Sequence, residues 1–215
     1  MAKRKLIRFK EIGGFDNVVE LDAGLPLKGK WASEFFKNNN PIVLELACGK
    51  GEYSVNLAKK FPEKNFLGID YKGNRLWVGA KMAIDDGIKN VGFLRIQIQN
   101  LLDFVDVGEV DEIWLTFPDP QAQSPLERKR LTNLQFLEKY KTVVKPNGIM
   151  HLKTDNEGFY EYTLEKVNEL NLEILVQTNN LYRDFYKDEI LSIKTHYEAL
   201  YLKQGKRINY LKFKF

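Results

Sequence analysis

Short apolar runs of strand length, alternating with amphipathic runs of helix length, constrain this chain more than any other feature of its sequence. Ile42-Val43-Leu44-Glu45-Leu46 follows Pro41 and reads as a buried strand, and glycines separate it from a helical stretch over 52–60. A second strand is expected over 65–70, a helix over 72–86 that stops near Gly87, and a third strand over 91–98. Residues 110–117 read as a fourth strand closed by Pro118-Asp119-Pro120. Leu131, Leu134, Leu137 and Val144 then predict a helix over 128–144. The turn Lys145-Pro146-Asn147-Gly148 leads into a fifth strand over 149–153, followed by a helix over about 156–169 and strands over 172–178 and 207–214. A parallel crossover needs a dozen or more residues, so this alternation builds a mostly parallel sheet covered by helices on both faces. Residues 1–40 lack the period and are expected to be an N-terminal extension, with 41–215 as the domain.

Several classes are excluded early. The longest strictly apolar run is four residues, Ala199 to Leu202, against the ~20 that a membrane helix needs, so no membrane span and no signal peptide are expected and a cytoplasmic setting is. A lone cysteine, Cys48, permits no internal disulfide, and with only His151 and His196 beside it a Cys/His zinc site is not expected. Cys48 has no partner base in view and reads as a small buried apolar residue rather than a nucleophile.

Charge is more informative as a pattern than as a total. Lys plus Arg minus Asp plus Glu is 33 − 29 = +4. Lys3, Arg4, Lys5, Arg8 and Lys10 form an N-terminal cluster without acids, Arg128-Lys129-Arg130 a central one, and Lys203, Lys206, Arg207, Lys212 and Lys214 a C-terminal one. Each alone fits a solvated tail or strand end; together they favour a polyanion partner, whose counterions such clusters displace.

In open parallel sheets ligands sit at the carboxyl ends of the strands. There the first strand runs into Ala47-Cys48-Gly49-Lys50-Gly51, where small residues let a ligand approach the backbone. The second strand ends in Asp70, a carboxylate able to accept both hydroxyls of a ribose. The third ends in Gln97-Ile98-Gln99-Asn100, amides suited to an adenine edge. A dinucleotide would want a third glycine and no carboxylate near its pyrophosphate, whereas here Glu45 and Glu52 bracket the loop. Carboxylates attract the ammonium and sulfonium of S-adenosylmethionine, so the loop favours that cofactor.

Phe117-Pro118-Asp119-Pro120 holds a carboxylate in a stiff turn at the same edge, in a place where a helix-capping aspartate would also be common. Taken in order, Glu45–Gly51, Phe117–Pro120, Arg128-Lys129-Arg130-Leu131-Thr132, Lys153-Thr154-Asp155-Asn156 and Thr195-His196-Tyr197-Glu198 resemble the bacterial tRNA (guanine-N7)-methyltransferase family from about residue 40 to the C-terminus. The resemblance implies a Rossmann-like class I methyltransferase fold: an α/β, mostly parallel sheet of seven strands, the last antiparallel, with helices on both faces. It implies methyl transfer from S-adenosylmethionine to N7 of a tRNA guanine, at position 46 of the variable loop. Carried over, Glu45, the Ala47–Gly51 loop with Gly49, Asp70 and Gln97 fall at cofactor positions, Asp119 at the catalytic and cofactor-adjacent one, and Gln123, Asp155, Thr195, His196, Tyr197 and Glu198 at substrate positions. The chain departs from the family pattern at Ala47, often glycine, at Gln97, usually acidic, at Gln121, usually tryptophan, and at Gln123, usually lysine.

Guanine N7 carries an in-plane lone pair and no proton, so its attack on a sulfonium methyl needs no general base. Orientation and a carboxylate near the developing cation matter most, and Asp119 is expected in that role. Asp155 and Glu198 are acceptors suited to guanine N1–H and its amine, and Thr195 and Tyr197 offer hydroxyls, although Tyr197 also fits helix packing. Lys153 fits either a phosphate contact or cover for the sheet, His196 an exposed site, and His151 packing within the fifth strand. The competing readings are a class I methyltransferase acting on a protein or small molecule, a nonenzymatic RNA-binding module, and a dinucleotide-dependent oxidoreductase. The sequence leaves monomer and homodimer both open.

Overall fold

The computed structural model describes residues 2–185 and 187–215. The side chains of Lys3 and Arg4, counted above in the N-terminal basic cluster, lie outside the described residues. Eight strands run β1 (Val18–Val19), β2 (Ile42–Leu46), β3 (Asn65–Ile69), β4 (Val91–Leu94), β5 (Val110–Thr116), β6 (Val144–Thr154), β7 (Glu173–Thr178) and β8 (Asn209–Lys214). The helices are α1 (Ala2–Ile12), α2 (Leu21–Gly24), α3 (Glu52–Lys60), α4 (Gly73–Asp85), α5 (Leu101–Phe104), α6 (Leu134–Val143), α7 (Glu157–Glu169), α8 (Leu181–Asp184) and α9 (His196–Lys203).

The strands form one sheet in the order β1-β4-β3-β2-β5-β6-β8-β7. β8 is antiparallel to both its neighbours and the remaining pairs are parallel. The seven expected strands are present, and Val18–Val19 adds a short eighth at the edge beside β4. Connections from β2 run outward one way, through α3 and α4 to β3 and β4. From β5 they run the other way, through α6 to β6. The reversal between β2 and β5 opens a crevice at the carboxyl ends of the strands.

Every residue of β2 is buried, because helices cover both faces of the central strands. Leu44, Leu46, Leu67, Ile69, Ile113 and Leu115 face a layer built with Leu137, Tyr140, Val143 and Phe159. Val43, Phe66, Phe93 and Trp114 face the opposite layer with Tyr53, Leu57, Leu76 and Ala80. Alternation puts Glu45 on the second face with Val43, which aims a carboxylate at α3. α1 packs on α4, and its Arg8 guanidinium lies 4.4 Å from the Trp77 ring.

Several boundaries differ from the sequence expectation, among them the start of the fifth strand, which lies at Val144 and takes in the expected turn at 145–148. The third strand stops at Leu94 rather than Ile98. Pairing with the two-residue β1 ends there, Arg95 turns to Glu20 at 2.9 Å, and the chain rolls into a tight turn at Ile98–Asn100. The helix expected from residue 128 begins at Leu134, because the Asn133 side chain caps it by accepting from Phe136 N at 3.0 Å. Residues 124–129 form a separate 3-10 turn with Pro125 near its start. α8 and α9 occupy a stretch where no element was expected.

Candidate functional site

The crevice begins where β2 ends. Ala47, Gly49 and Gly51 all have positive φ, +54°, +57° and +66°. Three left-handed residues in five coil the chain tightly before α3 starts. A side chain at Gly51 would place its Cβ 2.3 Å from Phe93 Cε1, so only glycine fits. Above Gly49 a Cβ would meet nothing nearer than Ala47 O at 4.0 Å, so that side of the loop is open.

Two buried carboxylates hold this loop. Asp70 Oδ2 accepts from Gly49 N at 3.0 Å and Oδ1 from Lys72 N at 2.8 Å. Burial raises its pKa against those bonds and against Arg75 and Lys72. Glu45 accepts from Ser54 N (2.9 Å) and Ser54 Oγ (2.5 Å) with Oε2, and from Thr116 Oγ1 (2.7 Å) with Oε1. It therefore stitches β2, α3 and β5 together beneath the loop, and burial pushes its carboxyl up to about 7. Burial also raises the Cys48 thiol well above its ordinary pKa, which suits a packed side chain and not a nucleophile. Gln97 lies exposed past the end of β4, and the Gln99 amide donates to it.

Strain marks the other wall as well. Phe117 sits at φ +50° and Gln121 at +45°, either side of Pro118-Asp119-Pro120. Phe117 N donates to Lys153 O at 2.8 Å, tying the turn to β6, and the Phe117 ring lies 5.9 Å from that of Tyr201 on α9. Asp119 is exposed, and its Oδ1 accepts from Gln121 N at 3.1 Å. Gln123 is exposed two residues on. Asp155, at the end of β6, is half-buried and paired with Lys206.

The segment Thr195–Glu198 divides in two. Thr195 is the N-cap of α9: its Oγ1 accepts from Glu198 N at 3.1 Å while Glu198 Oε2 accepts from Thr195 N at 3.3 Å. Glu198 is 0% exposed. Its Oε1 takes Lys153 Nζ at 2.7 Å and the Tyr182 hydroxyl at 2.8 Å. Lys153, equally buried, also donates to Leu191 O (3.1 Å) and Ile193 O (3.2 Å), and burial lowers its pKa. In this structure the Glu198 carboxylate is enclosed, and its two oxygens are bonded to Lys153, Tyr182 and the Thr195 N–H. The Thr195 hydroxyl is likewise engaged as a cap. Lys153 is enclosed in the core as the partner of Glu198. His196 and Tyr197 are exposed, and His196 N donates to Glu52 Oε2 at 2.8 Å.

His151 packs as expected, stacked on Trp114 at 3.9 Å with Nδ1 2.8 Å from the Tyr210 hydroxyl; burial lowers its pKa. Sequence reasoning placed Glu52 beside the loop but not its bond to α9, and it missed Tyr182 and Tyr201 as parts of this frame. The Thr-x-x-Glu spacing of a capping box was a readable signal for Glu198. Of the central basic run, Arg128 and Lys129 are exposed, while Arg130 is half-buried. Among the described residues no cluster of three or more His, Cys, Asp or Glu could hold a metal ion, and no helix is long and apolar enough to cross a membrane.

Comparison with known proteins agrees with this geometry. A family model described as "Putative methyltransferase" matches residues 39–211. A tRNA (guanine-N(7)-)-methyltransferase of Christiangramia forsetii is 50% identical, over 99% of this chain and 98% of its own. One from Bacteroides thetaiotaomicron is 44% identical over 100% and 86%. Among solved structures, the 16S rRNA methyltransferase KamB superposes with a TM-score of 0.63 at 14% identity, covering 82% of this chain and 88% of that one. That likeness shows the fold, and the sequence relatives show the family: the chain belongs to the tRNA (guanine-N7)-methyltransferases.

Proposed function

We propose that this protein transfers a methyl group from S-adenosylmethionine to N7 of guanosine 46 in the variable loop of tRNA, in the cytoplasm. The observation that carries the reading is the pairing of two features across the β2–β5 crevice: a left-handed, carboxylate-pinned loop and the exposed Asp119 turn. The open space above Gly49 fits a ligand lying on the backbone, and Asp70 keeps further acceptor capacity for a ribose beside it. Glu45 supports the loop from below through Ser54 and Thr116.

S-adenosylmethionine supplies an electrophilic methyl on a sulfonium; the protein has to hold it in line with the guanine. No residue need remove a proton, because N7 bears none. Asp119 orients the base and faces the positive charge the purine acquires, an electrostatic duty suited to an exposed carboxylate in a stiff turn. Asp155, His196 and Tyr197 line the substrate side, and Glu198 acts by holding α9 in place. Arg128 and Lys129 stand free for phosphate contacts.

Incubation with labelled S-adenosylmethionine and unmodified tRNA, followed by nucleoside analysis, tests the assignment. Label in 7-methylguanosine is expected, and a transcript with adenosine at position 46 should stay unlabelled. Label in the second transcript would move the target elsewhere. Asp119→Asn should slow single-turnover transfer on the order of 10²–10³-fold while cofactor affinity is kept. A wild-type rate would remove Asp119 from the mechanism.

A further inference from the structure

The three residues of the run Arg128-Lys129-Arg130 do not share one environment. Arg128 and Lys129 are exposed, while Arg130 is half-buried and turned inward. Its Nε donates to Gln121 O at 3.3 Å, and its guanidinium carbon lies 4.4 Å from the Tyr162 ring on α7. The backbone beneath it is fixed. Arg130 N donates to Glu127 O at 2.9 Å, and Arg130 O accepts from Asn133 N at 3.1 Å. Two residues on, the buried hydroxyls of Thr132 and Thr163 meet at 2.8 Å and clamp the strap to α7. Arg130 thus reaches from a rigid base toward Gln121, at the far end of the turn from its tie to β6.

That turn requires support. Gln121 is held at φ +45° without being glycine, a conformation that side chains disfavour. Both backbone polar groups of Gln121 are taken: its N–H donates to Asp119 Oδ1 at 3.1 Å, and its carbonyl accepts from Arg130. Gln121 is therefore a short bar with the Asp119 carboxylate at one end and the Arg130 guanidinium at the other. A lysine could supply charge there but not a planar group that stacks on Tyr162 and donates in plane to the carbonyl.

We propose that Arg130 is a positioning residue for methyl transfer: it sets the Asp119 carboxylate through the Gln121 peptide and is not one of the phosphate contacts. The proposal rests on the reading of Asp119 as the group that faces guanine. A small misplacement of such a group is enough to slow a reaction by orders of magnitude.

The test uses the full-length protein, tRNA transcript and S-adenosylmethionine. Arg130→Met and Arg130→Lys should each lower kcat on the order of 10- to 100-fold, with KM for tRNA and the salt dependence of tRNA binding held near wild type. Arg128→Gln should do the reverse, weakening binding and reducing the salt slope by about 1 with little change in kcat. In an Asp119→Asn background, Arg130→Met should cost much less than it does in the wild type, because the group it positions is already disabled. Tyr162→Leu, which removes the stacking ring and leaves the arginine, should reproduce the kcat loss, and it serves as the probe if Arg130→Met does not fold. A wild-type kcat in Arg130→Lys, a salt slope reduced as in Arg128→Gln, or a loss fully additive with Asp119→Asn would overturn the proposal. If Asp119→Asn itself is silent, the reading of Asp119 falls and the proposal with it; if Asp119→Asn is slow and Arg130→Met and Tyr162→Leu are silent, only the proposal falls.

Discussion

Glu198→Gln separates a buried anchor from a guanine ligand. The substitution keeps shape and one acceptor oxygen, but it leaves Lys153 as a buried ammonium with no counter-charge. Breaking a buried pair in this way costs about 3–5 kcal/mol. An independent bound comes from the lysine's escape route, which is to lose its proton. From an ordinary pKa of about 10.4, neutralising a lysine at pH 7.5 takes about 4 kcal/mol, and burial has already lowered the barrier by depressing the Lys153 pKa. The neutral amine can still donate to Leu191 O and Ile193 O. A second loss is local: an amide that replaces Oε2 would turn its N–H groups toward Thr195 N, so the capping box is also weakened. Together these set the destabilisation at about 3–4 kcal/mol. For a chain of this size that is a fall of about 6–16 °C in Tm. Thermal unfolding without ligand measures it directly, and methylation well below the transition should show a raised KM for tRNA, because α9 is less firmly held. An unchanged Tm with methylation abolished would refute the argument, for it would mean that Glu198 works at the substrate and not in the core.

Two further perturbations probe the cofactor half. Glu45 has its carboxyl raised from 4.5 to about 7 by burial, so its contribution to stability is fully present below about pH 4.5 and is lost as pH rises through 7. At about 1.4 kcal/mol per pH unit, that gap is worth about 3 kcal/mol, and Glu45→Gln should flatten the dependence of Tm on pH between 5 and 8. A slope identical to wild type would assign the dependence to other groups. Gly51→Ala forces a Cβ to within 2.3 Å of Phe93 Cε1 at φ +66°, so about 2–4 kcal/mol of stability should be lost to overpacking and left-handed strain. A urea midpoint equal to wild type would show that the loop relaxes freely.

How much of this was legible in the sequence depends on the range of the forces involved. The strands from Ile42 to Leu46 and from Val110 to Thr116 announce themselves because burial on both faces demands consecutive apolar residues, Ile42-Val43-Leu44 in the first and Ile113-Trp114-Leu115 in the second. The placing of Ala47–Gly51, Asp70 and Asp119 at the carboxyl ends of their strands is legible because sequence order fixes which residues follow each strand. The ion pair of Glu198 was hidden for the opposite reason. Its partner Lys153 lies 45 residues earlier, and nothing local distinguishes a carboxylate that meets a guanine from one that meets a buried ammonium. The same holds for Arg130, which stands in an unbroken basic run and differs from Arg128 and Lys129 only through Gln121 and Tyr162.

The long-range contacts that the sequence hid also join the two halves of the site. Glu52 begins α3 at the foot of the loop after β2, yet its Oε2 accepts the first N–H of α9 at 2.8 Å. One carboxylate therefore lies at two helix N-termini, where partial positive charge favours it from both sides. Lys153 does the equivalent from β6, which carries Phe117 N on its backbone oxygen and Glu198 on its ammonium. The loop that pins Asp70 and the helix that presents His196 and Tyr197 thus share a frame with the turn that holds Asp119. Where methyl transfer needs only that two ligands be held in line, a frame of this kind is the chemistry's main requirement. It accounts for the ion pairs and caps that frame this crevice.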